Sequence, residues 1–329
     1  MQRETTRRMP LLDEKGRLTQ PSWATSDVFY YNKEELRPHF RRKEWEFYQL
    51  SNEKFLFQMT YGHVGYAGNV GATLLNFETG ERYSSGPLKL FPGDSLDLDF
   101  SGGQPHSLKY EDDRFFLSIH CDGKYRRIDC RSDHFDAKLL CSNAGEAMCI
   151  ATPFRSRNQF YYNYKKNFLD LRGYVRLHGQ NCPLDGNTFL VLDSGRGVWP
   201  YGHEWIWGNG TKRFGKHILG INIGWGFGSD EAATENILFW DGKAHKLDRI
   251  WVDRNQDPME PWRFQSNDGR FNLRFEPFYD NYTKRNFLVI NTRCHQVFGK
   301  LYGTVYLDDG RGITVDGMHF FCEHAVNRW

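Results

Sequence analysis

Apolar and polar side chains alternate in short runs along most of this chain, at residues 54–61, 72–77, 114–120, 188–192, 217–223, 235–240, 270–275 and 287–291. A period of two sends successive side chains to opposite faces of an extended backbone, so each run predicts a strand with one buried face. Turn signals separate the runs: Glu78-Thr79-Gly80, Cys121-Asp122-Gly123, Trp240-Asp241-Gly242 and Asn267-Asp268-Gly269. In each, glycine supplies the positive φ that a tight hairpin needs. Helical periodicity is weak, and residues 32–42 form the best short helical segment. Strands at this spacing predict an all-β chain of antiparallel sandwiches or barrels, not a parallel α/β sheet.

Short matches recur in the same order in the two halves. Thr60-Tyr61-Gly62 aligns with Asn222-Ile223-Gly224, Phe77-Glu78-Thr79-Gly80 with Phe239-Trp240-Asp241-Gly242, and Pro153-Phe154 with Pro277-Phe278. Asn167-Phe168-Leu169 then matches Asn286-Phe287-Leu288, and the LDSGRG of residues 192–197 matches the LDDGRG of residues 307–312. The spacing between partners shrinks toward the C-terminus, which reads as a shorter second copy. The expectation is a pair of β-domains at residues 40–204 and 205–329, preceded by an extension at 1–39. In this reading LDxGRG is a duplicated turn.

A length of 329 residues accommodates two domains with their own cores. Aromatics reach 16% of the chain, which favours strands and aromatic-lined cavities. The net charge of +2, with no long run of one sign, gives no basic face for phosphates, so no nucleic acid is expected as a partner. No apolar run is long enough to span a bilayer, and the basic N-terminus is followed by no signal-type apolar stretch. Seven cysteines without CxxC spacing predict free thiols in a reducing cytoplasm and no cysteine zinc site. HExxH, GxSxG and phosphate-binding glycine loops are all missing, so neither a metal nor a cofactor is called for. Nothing in the sequence sets an oligomeric state.

Several segments together resemble the bacterial DUF2804 family: Pro10-Leu11-Leu12-Asp13 to Gly16, Lys43-Glu44-Trp45, GRGVWPYGHEWIWG at 195–208, and Thr234-Glu235-Asn236. Asp241-Gly242-Lys243 with His245-Lys246-Leu247, and the ending from Glu323 to Arg328-Trp329, extend the resemblance over nearly the whole chain. That family is one of unknown function. More distantly, a duplicated β-barrel of this length is similar to the two-domain, lipocalin-like AttH and carotenoid 1,2-hydratase group. The likeness implies a tandem pair of calycin-type antiparallel barrels and apolar ligands, and it permits hydratase, isomerase or cyclase chemistry without assigning any.

Candidate chemistry concentrates in residues 192–207, LDSGRGVWPYGHEWIW. One reading makes Gly195 and Gly197 a tight turn, pairs Arg196 with Asp193, and uses Trp199, Trp205 and Trp207 to cement the domains. The other, favoured because WPYGHEWIW has no counterpart in the second copy, makes a pocket for an apolar or aromatic small molecule. Its expected contacts are Arg196, Trp199, Tyr201, Trp205 and Trp207, with Asn222, Asn236 and Glu323. Strand alternation puts His203, Trp205 and Trp207 on one face and Glu204 and Ile206 on the other. If the pocket catalyses, the expected acid/base groups are Glu204 and Glu235, with His203 or His324 as partners. Glu235 and Asn236 face apart at a barrel mouth, as do Glu323 and His324, and Glu323 is expected to pair with Arg328 or Arg196. A glycan-binding or glycan-cleaving protein is the third class, requiring two carboxyls beside an open groove.

Overall fold

The computed structural model describes residues 2–287 and 290–328. Strand dominates, and the helical elements among the described residues are the 3-10 turns Lys33–Glu35 and His39–Arg41. Pro38, which lacks a backbone donor, splits the expected helix at 32–42 into these two turns. Most of the alternating runs are strands, among them Phe55–His63, Phe115–Cys121, Phe189–Val198, His217–Trp225 and Ile237–Trp240. Of the run expected at 287–291, Leu288 and Val289 lie outside the described residues, as does the terminal Trp329.

The first β-unit packs a nine-stranded sheet against a six-stranded one. The larger sheet places Phe160–Asn167, Phe189–Val198, Arg42–Ser51 and Phe55–His63 side by side at its centre, all antiparallel. Ser22–Ala24 from the N-terminal extension adds an edge strand to it. Between the sheets lies a core that includes Leu50, Phe57, Met59, Leu117, Phe135 and Leu192. The second β-unit is one nine-stranded sheet that runs from Gly202 to Arg328 and curls around Leu219, Ile221, Trp262, Phe275 and Phe320. The chain is thus a tandem of lipocalin-like β-units. It passes between the sheets over Trp199, Pro200 and Tyr201, so a boundary at 204/205 would fall inside the strand Gly202–Phe214.

A third core joins the units and contains Tyr161, Val191, Trp199, Trp207, Phe239, Phe298 and Phe321. The central strands of the larger first sheet are therefore covered on both faces, and Phe160–Asn167 is buried at every position. Polar pairs cross the same seam: Gln58 donates to Gln296 (2.8 Å), and Asn167 and Asn209 exchange side-chain amide bonds (2.9 and 3.0 Å).

Hairpin turns follow the glycine signals. Asp241 and Gly242 both have positive φ, 52° and 80°, as a two-residue type I′ turn demands. The LDxGRG match behaves differently. Residues 192–197 run through the buried strand Phe189–Val198, whereas residues 308–311 form an exposed turn leading into Gly312–Arg328. The expected tight turn at Gly195 and Gly197 is therefore a strand, and these two glycines are needed for room. A Cβ on Gly195 would stand 2.0 Å from the Trp45 ring, and one on Gly197 would stand 2.3 Å from the Phe160 carbonyl oxygen.

Candidate functional site

Alternation decides which side chains reach the contact between the units. In the first sheet, Trp45 and Phe47, Tyr161, Asn163 and Lys165, and Asp193 point toward the second unit, while Glu44, Glu46, Tyr162 and Arg196 turn into the first barrel. From the second sheet come Trp205 and Trp207 of Gly202–Phe214 and Glu323 of Gly312–Arg328, paired directly across the ladder at Trp207 and Glu323. These side chains leave a cavity of about 210 Å³ between the units. Its walls are Trp45, Phe47, Trp199, Trp205, Trp207 and Phe227, with Tyr161 and Thr60, and the carboxyls of Asp193 and Glu323 open onto it. The rings meet edge to face, as aromatic quadrupoles prefer: Trp45 on Trp199 at 5.8 Å and Trp199 on Trp205 at 5.6 Å.

Glu323 is the chemically distinctive group of this cavity. Its Oε1 accepts a hydrogen bond from Trp205 Nε1 at 2.7 Å, not from Arg328 or Arg196 as expected. Burial pushes its carboxyl up to about 7, against the opposing pull of the Trp205 hydrogen bond and the Lys165 charge, with Asp193 and Glu235 adding to the rise. Such a group is populated in both protonation states near neutrality, the condition for giving and taking protons.

Behind the aromatic wall lies a buried ion pair. Lys165 Nζ donates to Glu235 Oε1 at 2.9 Å, and Tyr161 Oη donates to Glu235 Oε2 at 3.0 Å. The same ammonium sits 4.0 Å from the centre of the Trp207 ring. Glu235 fits only because Gly224 has no side chain, since a Cβ there would stand 2.1 Å from its Oε1. Burial raises the Glu235 carboxyl and Lys165 opposes the rise. Glu235 is thus a structural acceptor for Lys165 and Tyr161, and it does not line the cavity.

The other expected residues divide. Trp199, Trp205 and Trp207 line the cavity; Tyr201 is exposed and does not. Arg196 is fully buried in the first barrel, where it donates to the carbonyls of Trp45 (2.8 Å), Gly195 (2.7 Å) and Phe100 (3.0 Å). Its expected partner Asp193 faces the other way and takes the Asn163 amide instead. Asn222 accepts from Trp207 Nε1 at 2.9 Å and so orients that indole. Asn236 bonds the Gly224 amide (2.8 Å) and the Asp248 carbonyl (2.8 Å), which holds the Thr234-Glu235-Asn236 segment in place. His203 packs between Phe154 and Trp199, each 4.9 Å away, and burial lowers its imidazole to about 4. Glu204 and His324 do form a pair, at 2.7 Å, but on the opposite face of the sheet from the tryptophans.

Sequence reasoning passed over Lys165, Tyr161, Phe227 and Trp45 as site residues. The signal for the first two was the polar insertion in FYYNYKKN, a strand buried on both faces whose pattern shows no alternation.

One further cluster has metal-like composition: Glu44 and Asp97 oxygens lie 3.2 and 3.4 Å from His63 Nε2. The Gly65 amide donates to His63 Nδ1 at 3.1 Å, so Nε2 carries the proton and donates to the acids. Glu44 also accepts from Tyr31 and from the Leu98 amide, and Asp97 accepts from Arg42. The set is a satisfied hydrogen-bond network inside the first barrel, and the His63 bond and the Arg196 charge outweigh burial to hold Glu44 at about 2.

The chain belongs to the DUF2804 family, a domain of unknown function whose model matches residues 2–329. A sequence search of curated proteins finds no match. Among solved structures the chain is similar to CghA, crystallised with Sch210972, at a TM-score of 0.51 and 10% identity over 96% of this chain and 97% of that one. It is also similar to kievitone hydratase from Nectria haematococca, at a TM-score of 0.50 and 11% identity over 98% of both chains. At such identities the likeness concerns the fold, and it extends over both β-units.

Proposed function

We propose that this protein binds an apolar or aromatic small molecule between its two β-units, and that Glu323 exchanges a proton with it in a cofactor-independent hydration, isomerisation or cyclisation. The observation that carries this reading is a carboxyl poised near neutrality inside a cavity walled by tryptophans. The aromatic walls hold a flat or apolar body and exclude bulk water. Trp205 fixes Oε1, and among the described residues Oε2 has no hydrogen-bond partner. In a hydration, the protonated Glu323 gives its proton to one carbon of a C=C bond while water adds to the other. The carboxylate then takes the proton that the water loses, which restores the acid.

Glu323 therefore takes the role first considered for Glu204 and Glu235. Two properties of the neighbours agree with the reading, since one is named a hydratase and the other was crystallised with a small molecule. The mostly aromatic lining speaks against a glycan, which needs hydrogen-bonding groups along an open groove. All seven cysteines are free, which supports a reducing compartment; no helix of the described residues is long and apolar enough to cross a membrane.

Native mass spectrometry of gently purified protein tests the binding. The parent is expected to carry a small molecule released on denaturation, and Thr60→Phe, which fills the cavity, is expected to lose it while keeping its circular dichroism. A parent with no adduct, or an adduct undiminished in the variant, overturns the proposal.

A further inference from the structure

The other face of the same strands builds a second concavity. Beyond the core plug of Trp262, Phe275 and Phe320, the curled sheet of the second unit opens into a basin of about 670 Å³. Register places Tyr282, His295 and His324 in one row across three strands, and Lys284, Arg293, Val326 and Glu204 in the next. Arg254 enters from the facing loop, its guanidinium 5.2 Å from the Trp262 ring.

We propose that this basin binds a small planar organic anion, with the guanidiniums of Arg254 and Arg293 holding its carboxylate, phosphate or sulfonate group and Tyr282 supporting its flat body. Among the described residues neither guanidinium has a carboxylate within ion-pair distance. The acids facing the basin are already engaged. Arg254 Nη2 donates to His324 Nδ1 at 2.7 Å, which turns the Nε2 proton of His324 toward Glu204, also at 2.7 Å. Asp280 is held by His295 Nδ1 at 2.7 Å. On the rim loop, Asp253, Asp257 and Glu260 are exposed, and Glu260 accepts from the Asn255 amide. Two arginines without acidic partners line one concavity, and the forked N–H donors of a guanidinium suit an oxyanion. The half-exposed Tyr282 ring, stacked on His295 at 4.4 Å, gives a flat surface beside them.

The site faces away from the tryptophan cavity, so it stands or falls independently of the function proposed above. Fluorescence titration of the full chain with 1-anilinonaphthalene-8-sulfonate, alongside the uncharged N-phenyl-1-naphthylamine, tests it. The Arg254→Gln, Arg293→Gln double variant is expected to weaken sulfonate binding about tenfold or more and to leave the uncharged probe within about twofold. Glu204→Gln, which removes a nearby negative charge, is expected to tighten the sulfonate probe roughly threefold. Arg293→Gln alone, at an exposed position, still shows a loss of roughly threefold if the Arg254 change disturbs Trp262. A parent that does not bind the sulfonate, a double variant that binds it as the parent does, or binding abolished by Thr60→Phe overturns the proposal.

Discussion

His203 and Glu204 are chain neighbours, as are Glu323 and His324, yet each pair is split between two environments. The odd-numbered members face the contact between the β-units and are surrounded by aromatic rings. The even-numbered members face the open mouth of the second barrel and make charged hydrogen bonds at its wet surface. A Glu on the first side is pushed up to about 7 by burial. The Glu on the second side is about half exposed and bonded to a histidine. Residue type alone does not nominate an acid/base group; the face of the strand does.

The sharpest way to break this comparison is to remove each carboxylate. Glu323→Gln is expected to lower turnover of the co-purified molecule by about 10²–10⁴-fold, the usual worth of a positioned acid/base group, while Glu204→Gln stays within about twofold. Equal losses in the two variants would erase the distinction. Next comes Lys165→Met, which leaves Glu235 buried without its cation. Urea unfolding should show a loss of about 3–5 kcal/mol, whereas breaking the surface Glu204–His324 pair should cost less than about 1 kcal/mol.

A second comparison concerns the two LDxGRG segments. Gly195→Ala drives a methyl into the Trp45 ring and should cost about 3 kcal/mol in urea unfolding. Gly310→Ala meets no atom within 4 Å and strains only a φ of 82°, for about 1 kcal/mol. Five matching letters of six served as evidence of a shared turn in the sequence, but the hexapeptides occupy a double-covered strand and a largely solvent-facing loop. A local match carries no information about what packs on it. Single-covered strands such as Phe115–Cys121 were legible because one face is wet, and the alternation of His203, Glu204, Trp205, Ile206 and Trp207 predicted their faces correctly. FYYNYKKN was illegible for the opposite reason. Its Lys165 is buried by a strand from the other half of the chain, and that pairing leaves no periodic trace. Glu323 looked like an ordinary salt-bridge acid because the Trp205 indole that holds it lies far away in sequence.

A further expected effect concerns pH. The folded-state Glu323 carboxyl lies above its ordinary value of 4.5, so the protonated group contributes stability below that value which is lost as pH rises through about 7. Relative to Glu323→Gln, the parent should therefore become less stable between about pH 5 and pH 7; parallel stability profiles would contradict a raised carboxyl.

The most direct measurement is the titration of the Glu323 carboxyl itself, followed by carbon NMR of protein labelled at the glutamate side-chain carboxyls and assigned by the resonance missing in Glu323→Gln. A midpoint near 7 is the predicted result. A midpoint in the ordinary carboxylate range would contradict the account, because Glu323 would then be a permanent anion with no proton to give at neutral pH.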